Sequence, residues 1–173
     1  MSSAICIRRF TPREWPAYRA LRLRSLADAP NAFGSSLALE ESWAQELWMA
    51  RLMAADVSGR DCPLVAASSG PDGAMLGLLW AKCDADDAGI VNLFQMWVAP
   101  EARGRGAASA LVDEAVSWAR TIGARLVRLG VVVDNRDAIR LYERKGFRNE
   151  GEPEPIRPGS PLLEQTMQLA LSA

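Results

Sequence analysis

Short apolar runs of strand length alternate along this chain with stretches whose apolar residues recur at three- and four-residue spacing. Ala4 to Phe10 reads as a first strand. Thr11-Pro12-Arg13-Glu14 is a capping box with proline at the first helical position. It predicts a helix to about Ala27, with Tyr18, Leu21, Leu23 and Leu26 supplying apolar surface. A turn-rich loop from Asp28 to Ser36 contains Pro30, Asn31 and Gly34. The spacing then predicts a second helix from about Leu39 to Ala55, with Trp43, Leu47 and Trp48 near one face. Cys62–Ser69 and Ala74–Cys83 read as strands joined by a Gly70-Pro71-Asp72-Gly73 turn, a hairpin signal. An acidic turn (Asp84, Asp86, Asp87) leads to the strand Ile90–Val98. A helix ending near Ile122 carries Leu111, Ala115, Trp118 and Ala119 in register. Strand Leu126–Val133, a helix containing Tyr142, and strands Phe147 to about Glu152 and Leu162–Leu171 complete the order, the last two separated by a proline-rich loop.

The most informative stretch is VAPEARGRGAASAL, residues 98–111. A strand that turns through Arg103-Gly104-Arg105-Gly106-Ala107-Ala108 into a helix leaves backbone N–H groups unpaired, an arrangement that suits a phosphate or pyrophosphate. Gly104 and Gly106 let the backbone approach a ligand, and Arg103 and Arg105 add positive charge at the rim. No G-x-x-x-x-G-K-[ST] loop is present, and Gly104-x-Gly106-x-x-Ser109 lacks the third glycine of a dinucleotide fingerprint. Arg103-x-x-Gly106-x-Ala108 instead resembles the [QR]-x-x-G-x-[GA] pyrophosphate loop of the GNAT acetyltransferase superfamily, which binds acetyl-CoA.

Residues 133–147, VDNRDAIRLYERKGF, resemble that superfamily's second signature, one helix and one strand downstream. Asn135 is placed as the helix N-cap, Ala138, Leu141 and Tyr142 share a face, and Gly146 ends the helix. With both motifs in order, the resemblance covers nearly the whole chain and implies a GNAT fold of the α/β (α+β) class over residues 1–173. That fold is a mixed, mostly antiparallel sheet of about seven strands flanked by about four helices. In it the strands here read as Ile90–Val98 and Leu126–Val133 splay apart and admit the pantetheine arm.

Composition narrows the alternatives. The chain has 173 residues, a net charge of −1 and no histidine, so neither a Ser-His-Asp triad nor a His-bearing metal centre can be built. The charge balance and the lack of a basic stripe with interleaved aromatics argue against nucleic acid and anionic membranes as partners. Three cysteines without a C-x-x-C, and no signal-like N-terminus, lead us to expect reduced thiols and a cytoplasmic location.

The resemblance implies acetyl transfer from acetyl-CoA to an amine by direct attack, without a metal. Tyr142 is then the general acid for the departing CoA thiolate. Backbone groups of Met96 and Val98 bind the acetyl and pantetheine amides, and the N–H groups of Arg103, Gly104, Arg105, Gly106, Ala107 and Ala108 take the pyrophosphate. Asn135 touches the pantetheine or positions the tyrosine.

The general base is not readable. Many relatives carry a glutamate where Gln95 stands, and an amide cannot accept a proton at useful pH. Glu40, Glu41, Asp134 and a water chain remain as candidates. Phe33, Ser35, Glu40 and Gln95 are the candidate acceptor-binding residues. A small-molecule amine is the first expectation, a protein N-terminus or lysine the second, and an antibiotic amine a third. The missing strand glutamate leaves a second reading open, a CoA-binding regulatory module with little turnover. Many relatives dimerise, often through the C-terminal strands; the sequence decides neither for nor against a homodimer.

Overall fold

The structure, a computed structural model, describes residues 4–70 and 72–172. Seven strands form one sheet: β1 Ile5–Arg9, β2 Asp61–Ser68, β3 Met75–Cys83, β4 Ile90–Val98, β5 Leu126–Val132, β6 Arg148–Pro155 and β7 Leu163–Ala170. Their spatial order is β1-β2-β3-β4-β5-β7-β6. Only the central β4–β5 pair is parallel; its neighbours on either side pair antiparallel.

Alternation along the strands builds a core on each face of this sheet. One face gathers Leu64, Leu79, Val91 and Val127 under α4 (Ala107–Thr121) and α5 (Arg136–Arg144). The other gathers Val65, Leu78, Trp80 and Trp97 under α1 (Trp15–Asp28) and α3 (Gln45–Ser58). Strands covered on both sides read as continuous apolar runs, which is why β2 and β3 show so little polar alternation. The edge strand β6 is different: Arg-Asn-Glu-Gly-Glu-Pro-Glu-Pro is almost wholly exposed, and its charges and prolines discourage further pairing.

The mixed, mostly antiparallel sheet of seven strands expected from the sequence is present. The expected hairpin joins β2 to β3, although Pro71 of its turn lies outside the described residues. Thr11 donates its amide hydrogen to Glu14 Oε2 over 2.8 Å, and the proline turn Pro12–Glu14 runs into α1 as its capping residues suggest.

The second helix departs from expectation. It is two helices, α2 (Leu37–Glu41) and α3, broken at Ser42-Trp43-Ala44. The Ser42 hydroxyl donates to the Leu39 carbonyl over 2.6 Å and competes with the helical ladder, and Ala44 is extended. The break lets Trp43 lie 5.2 Å from the fully buried Trp48, while Leu47 is 42% exposed rather than part of the apolar face. With this break, five helices flank the sheet among the described residues, in keeping with the about four expected.

Candidate active site

Strands β4 and β5 pair from Ile90–Leu126 to Leu93–Leu129 and then part. The parting starts at an irregularity in β4: Leu78 opposes Trp97 but Trp80 opposes Phe94, so β4 carries an extra residue. Gln95 sits in it with φ 60°, the one non-glycine residue at positive φ among the described residues. Beyond this bulge a cavity of about 660 Å³ opens between the strands, lined by Met96, Val98, Val131, Ala138, Leu141 and Tyr142 among others.

At one end of the gap the chain turns through Gly104 (φ 73°) and Gly106 (φ 81°) into α4. A Cβ at either glycine would meet no atom within 4 Å, so the turn is open on its outer side. The first helical bond of α4 runs from Ala110 N–H to the Gly106 carbonyl, which leaves the amides of Ala107 and Ala108 without an intrahelical acceptor. Open glycines beside free helix-start amides fit a pyrophosphate. Arg103 does not serve as a free rim charge. Its Nη2 donates to Asp28 Oδ2 at 2.6 Å and its Nε to the Val98 carbonyl at 3.1 Å, tying the turn to the end of α1. Arg105 is exposed.

Tyr142 lines the gap from α5 and packs edge-on against Phe147, 5.8 Å between ring centroids. Its hydroxyl has no hydrogen-bond partner among the described residues, and burial pushes it up to about 12. A buried phenol of this kind stays protonated at neutral pH and can donate. Asn135 caps α5 by accepting the Ala138 amide hydrogen at 3.2 Å, and it too lines the gap.

A second cavity of about 560 Å³ meets the first at Phe33, Gly34, Phe94 and Gln95. Phe33, Ser35, Glu40 and Gln95 all line it, so the sequence-derived acceptor residues fall together. Their surroundings change their roles. Both carboxylate oxygens of Glu40 accept from Arg22, at 2.8 and 3.0 Å, in a pair of which Arg22 is 3% and Glu40 2% exposed. Glu40 is thus occupied, while Glu41 and Asp134 are exposed and line neither cavity. The Asp84–Asp87 turn is likewise self-contained. Asp84 accepts the amide hydrogens of Asp86 and Asp87 and the Asn92 side chain. Asp87 pairs with Arg125, which holds its carboxyl at about 2.

Sequence reasoning missed four residues here. Tyr18 donates its hydroxyl to Gln95 Oε1 at 2.8 Å, a contact across 77 positions that no local pattern encodes. Arg22 and Arg51 look like the polar face of ordinary helices until Glu40, Trp43 and Trp80 are packed around them. Glu164 was hidden in a terminal strand. Its carboxyl lies over Gly130 of β5, where a Cβ would come within 2.8 Å of Oε2. Burial, and secondarily the neighbouring Glu154, raise its pKa above the ordinary carboxylate value.

The family model for the Acetyltransferase (GNAT) family matches residues 23–147. The chain belongs to this family. Among solved structures, a GNAT-family acetyltransferase from Streptococcus pneumoniae superposes with a TM-score of 0.79 at 24% identity, over 97% of this chain and 100% of that one. YncA from Salmonella typhimurium, solved with its cofactor acetyl-CoA, gives 0.79 at 20% identity over 99% and 96%. The mycothiol acetyltransferase of Renibacterium salmoninarum is 29% identical over 147 residues, which are 83% of this chain but 40% of that protein. An N-acetyltransferase of Methanocaldococcus jannaschii is 38% identical over 61 residues, 35% of this chain and 27% of that one. This GNAT chain therefore spans less than half the length of those two sequence relatives. Its fold matches the solved GNAT structures over nearly their full length. Among the described residues no helix is long and apolar enough to cross a membrane.

Proposed function

We propose that this GNAT protein transfers the acetyl group of acetyl-CoA to the amine of a small molecule or peptide. The observation that carries the reading is the position of Tyr142. An unpartnered, protonated phenol lines the gap between β4 and β5, and the open glycine turn stands at one end of it.

The turn amides from Gly104 to Ala108 hold the pyrophosphate; that of Arg103 is taken, donating to the Pro100 carbonyl at 3.3 Å. The backbone of β4 at Met96 and Val98, unpaired on its β5 side beyond Leu93, bonds the acetyl and pantetheine amides. Asn135 keeps its side-chain N–H groups for the pantetheine, since its oxygen caps α5. As the amine nitrogen bonds to the acetyl carbon and the C–S bond breaks, Tyr142 gives its proton to the leaving sulfur and regains one from solvent.

Glu164 takes the proton lost by the amine. Among the described residues four carboxylates line the two cavities: Glu40, Asp61, Asp137 and Glu164. Glu40 is bound by Arg22, Asp61 accepts from Trp80 and Ser58, and the Asp137 side chain is 98% exposed. Glu164 alone combines partial burial, a raised proton affinity and no hydrogen-bond partner among the described residues.

Thermal shift tests the cofactor. Acetyl-CoA and CoA at 100 times their dissociation constant should each add about 2.7 kcal/mol, raising the midpoint by roughly 5–10 °C. ATP and NAD should add nothing, and a folded Gly106→Glu variant should lose the response. No shift with either CoA species sinks the reading. A shift without CoA release for any amine favours a regulatory CoA-binding module instead.

A further inference from the structure

The 560 Å³ cavity holds an unneutralised cation. The Arg51 guanidinium stands 4.8 Å from the Trp43 ring centroid and 5.8 Å from that of Trp80. The Trp80 ring is fixed in turn by its indole N–H, which donates to Asp61 at 2.8 Å. Among the described residues Arg51 has neither a carboxylate partner nor a hydrogen bond; the two indoles hold it in place by cation–π attraction.

A second observation points the same way. Arg22 uses Nε and Nη2 on Glu40, but its Nη1 is buried with no partner among the described residues. Leaving the N–H groups of a charged side chain unsatisfied costs more than a neutral hydrogen bond returns. The Arg22 guanidinium lies 4.7 Å over the Phe33 ring, at the junction of the two cavities. Arg22, Arg51 and Lys82 face only Glu40 and Asp61 within the lining, so the cavity carries one positive charge in excess.

We propose that the acceptor is an amino carboxylate, its carboxylate held by Arg51 and the free Nη1 edge of Arg22 while its amine points to the Gln95 junction. A planar guanidinium forks onto a carboxylate with two parallel hydrogen bonds, and one excess positive charge in the cavity matches the single negative charge of that carboxylate. Trp43, Phe33 and the half-exposed Phe94 supply walls for an apolar side chain. This assignment rests on the acetyl-transfer reading above, for which the second cavity is the acceptor's.

The test is calorimetric binding to the full chain in the presence of CoA. Aliphatic and aromatic amino acids are each compared with their carboxamide and their decarboxylated amine, and β-alanine with O-phosphoethanolamine. The expected result is that at least one acid binds about tenfold or more tightly than its amide. Arg51→Met should erase that difference, and Arg51→Lys should keep part of it, with unfolding midpoints reported for each. Amides or amines binding as well as the acids, no acid binding, or the phosphate compound binding most tightly would each overturn the proposal. So would an Arg51→Met loss shared equally by acid and amide. CoA release from acetyl-CoA is read in parallel samples. An acid preference without release would leave the carboxylate site standing and remove the acetyl-transfer reading.

Discussion

Tyr18 and Gln95 form a half-buried clasp: the phenol donates to the amide oxygen across 2.8 Å, and the amide belongs to a residue at φ 60°. With its oxygen engaged, Gln95 has its side-chain N–H groups left for whatever occupies the junction of the two cavities. An amide can donate to a substrate there; it cannot take its proton.

Replacing Gln95 with glycine separates binding from stability. Glycine relieves the left-handed backbone, roughly 1–2 kcal/mol, but strands the Tyr18 hydroxyl at a similar cost. The unfolding free energy should stay within about 1 kcal/mol of wild type in urea titrations. The acceptor KM should rise while the acetyl-CoA KM holds. A large loss of stability with unchanged acceptor KM would show the clasp to be structural only.

Tyr142→Phe should lower kcat about 100-fold or more and leave acetyl-CoA affinity unchanged. Because burial holds this hydroxyl at about 12, above its ordinary 10.0, the folded protein keeps the proton longer than the unfolded chain. The stability this contributes is whole below pH about 10 and declines as pH rises toward about 12. Alkaline denaturation of the phenylalanine variant should lack that decline.

Glu164→Gln should abolish most turnover yet raise the melting temperature at neutral pH. The raised pKa means folding opposes ionisation of this carboxyl. Stability is therefore full below the unfolded value near 4.3 and falls as pH rises through the folded one, a loss that glutamine escapes. Activity runs oppositely: kcat/KM should fall as acid protonates Glu164, with a midpoint above the ordinary carboxylate range. Gly130→Ala should weaken turnover in the same way, since its Cβ displaces the Glu164 carboxyl. Unchanged pH profiles in both variants would remove Glu164 from the mechanism.

Glu40→Ala should cost about 3–5 kcal/mol, because it leaves the Arg22 charge buried and uncompensated. Chemical denaturation of wild type and variant gives the difference directly. A cost below about 1 kcal/mol would mean that water reaches Arg22 once the carboxylate is gone.

The sequence was most legible where chemistry is local. The glycine turn, the Asn135 cap and the apolar face bearing Tyr142 each depend on neighbours within a few positions; Asn135 and Tyr142 line one gap, as do Arg103 and Ala108 on either side of the glycines. It was least legible where a side chain's role is set by a distant partner. Arg22 is an unremarkable helix residue until Glu40 is folded against it, and Glu164 reads as strand polarity until Gly130 makes room. The break at Ser42 was missed for a related reason. A single hydroxyl bonding back to Leu39 is enough to stop a helix that apolar spacing would continue.

The short β4–β5 ladder has a mechanical consequence. Among the described residues, strand pairing between the β1–β4 half of the sheet and the β5–β7–β6 half runs over four residue pairs, from Ile90–Leu126 to Leu93–Leu129. A backbone lying in the remaining gap stands where a strand's hydrogen bonds would otherwise be, so a ligand there works as mortar in a half-closed seam. The stiffness of the whole sheet then depends on occupancy, and the amides of β5 and β7 should exchange hydrogen more slowly once the seam is filled.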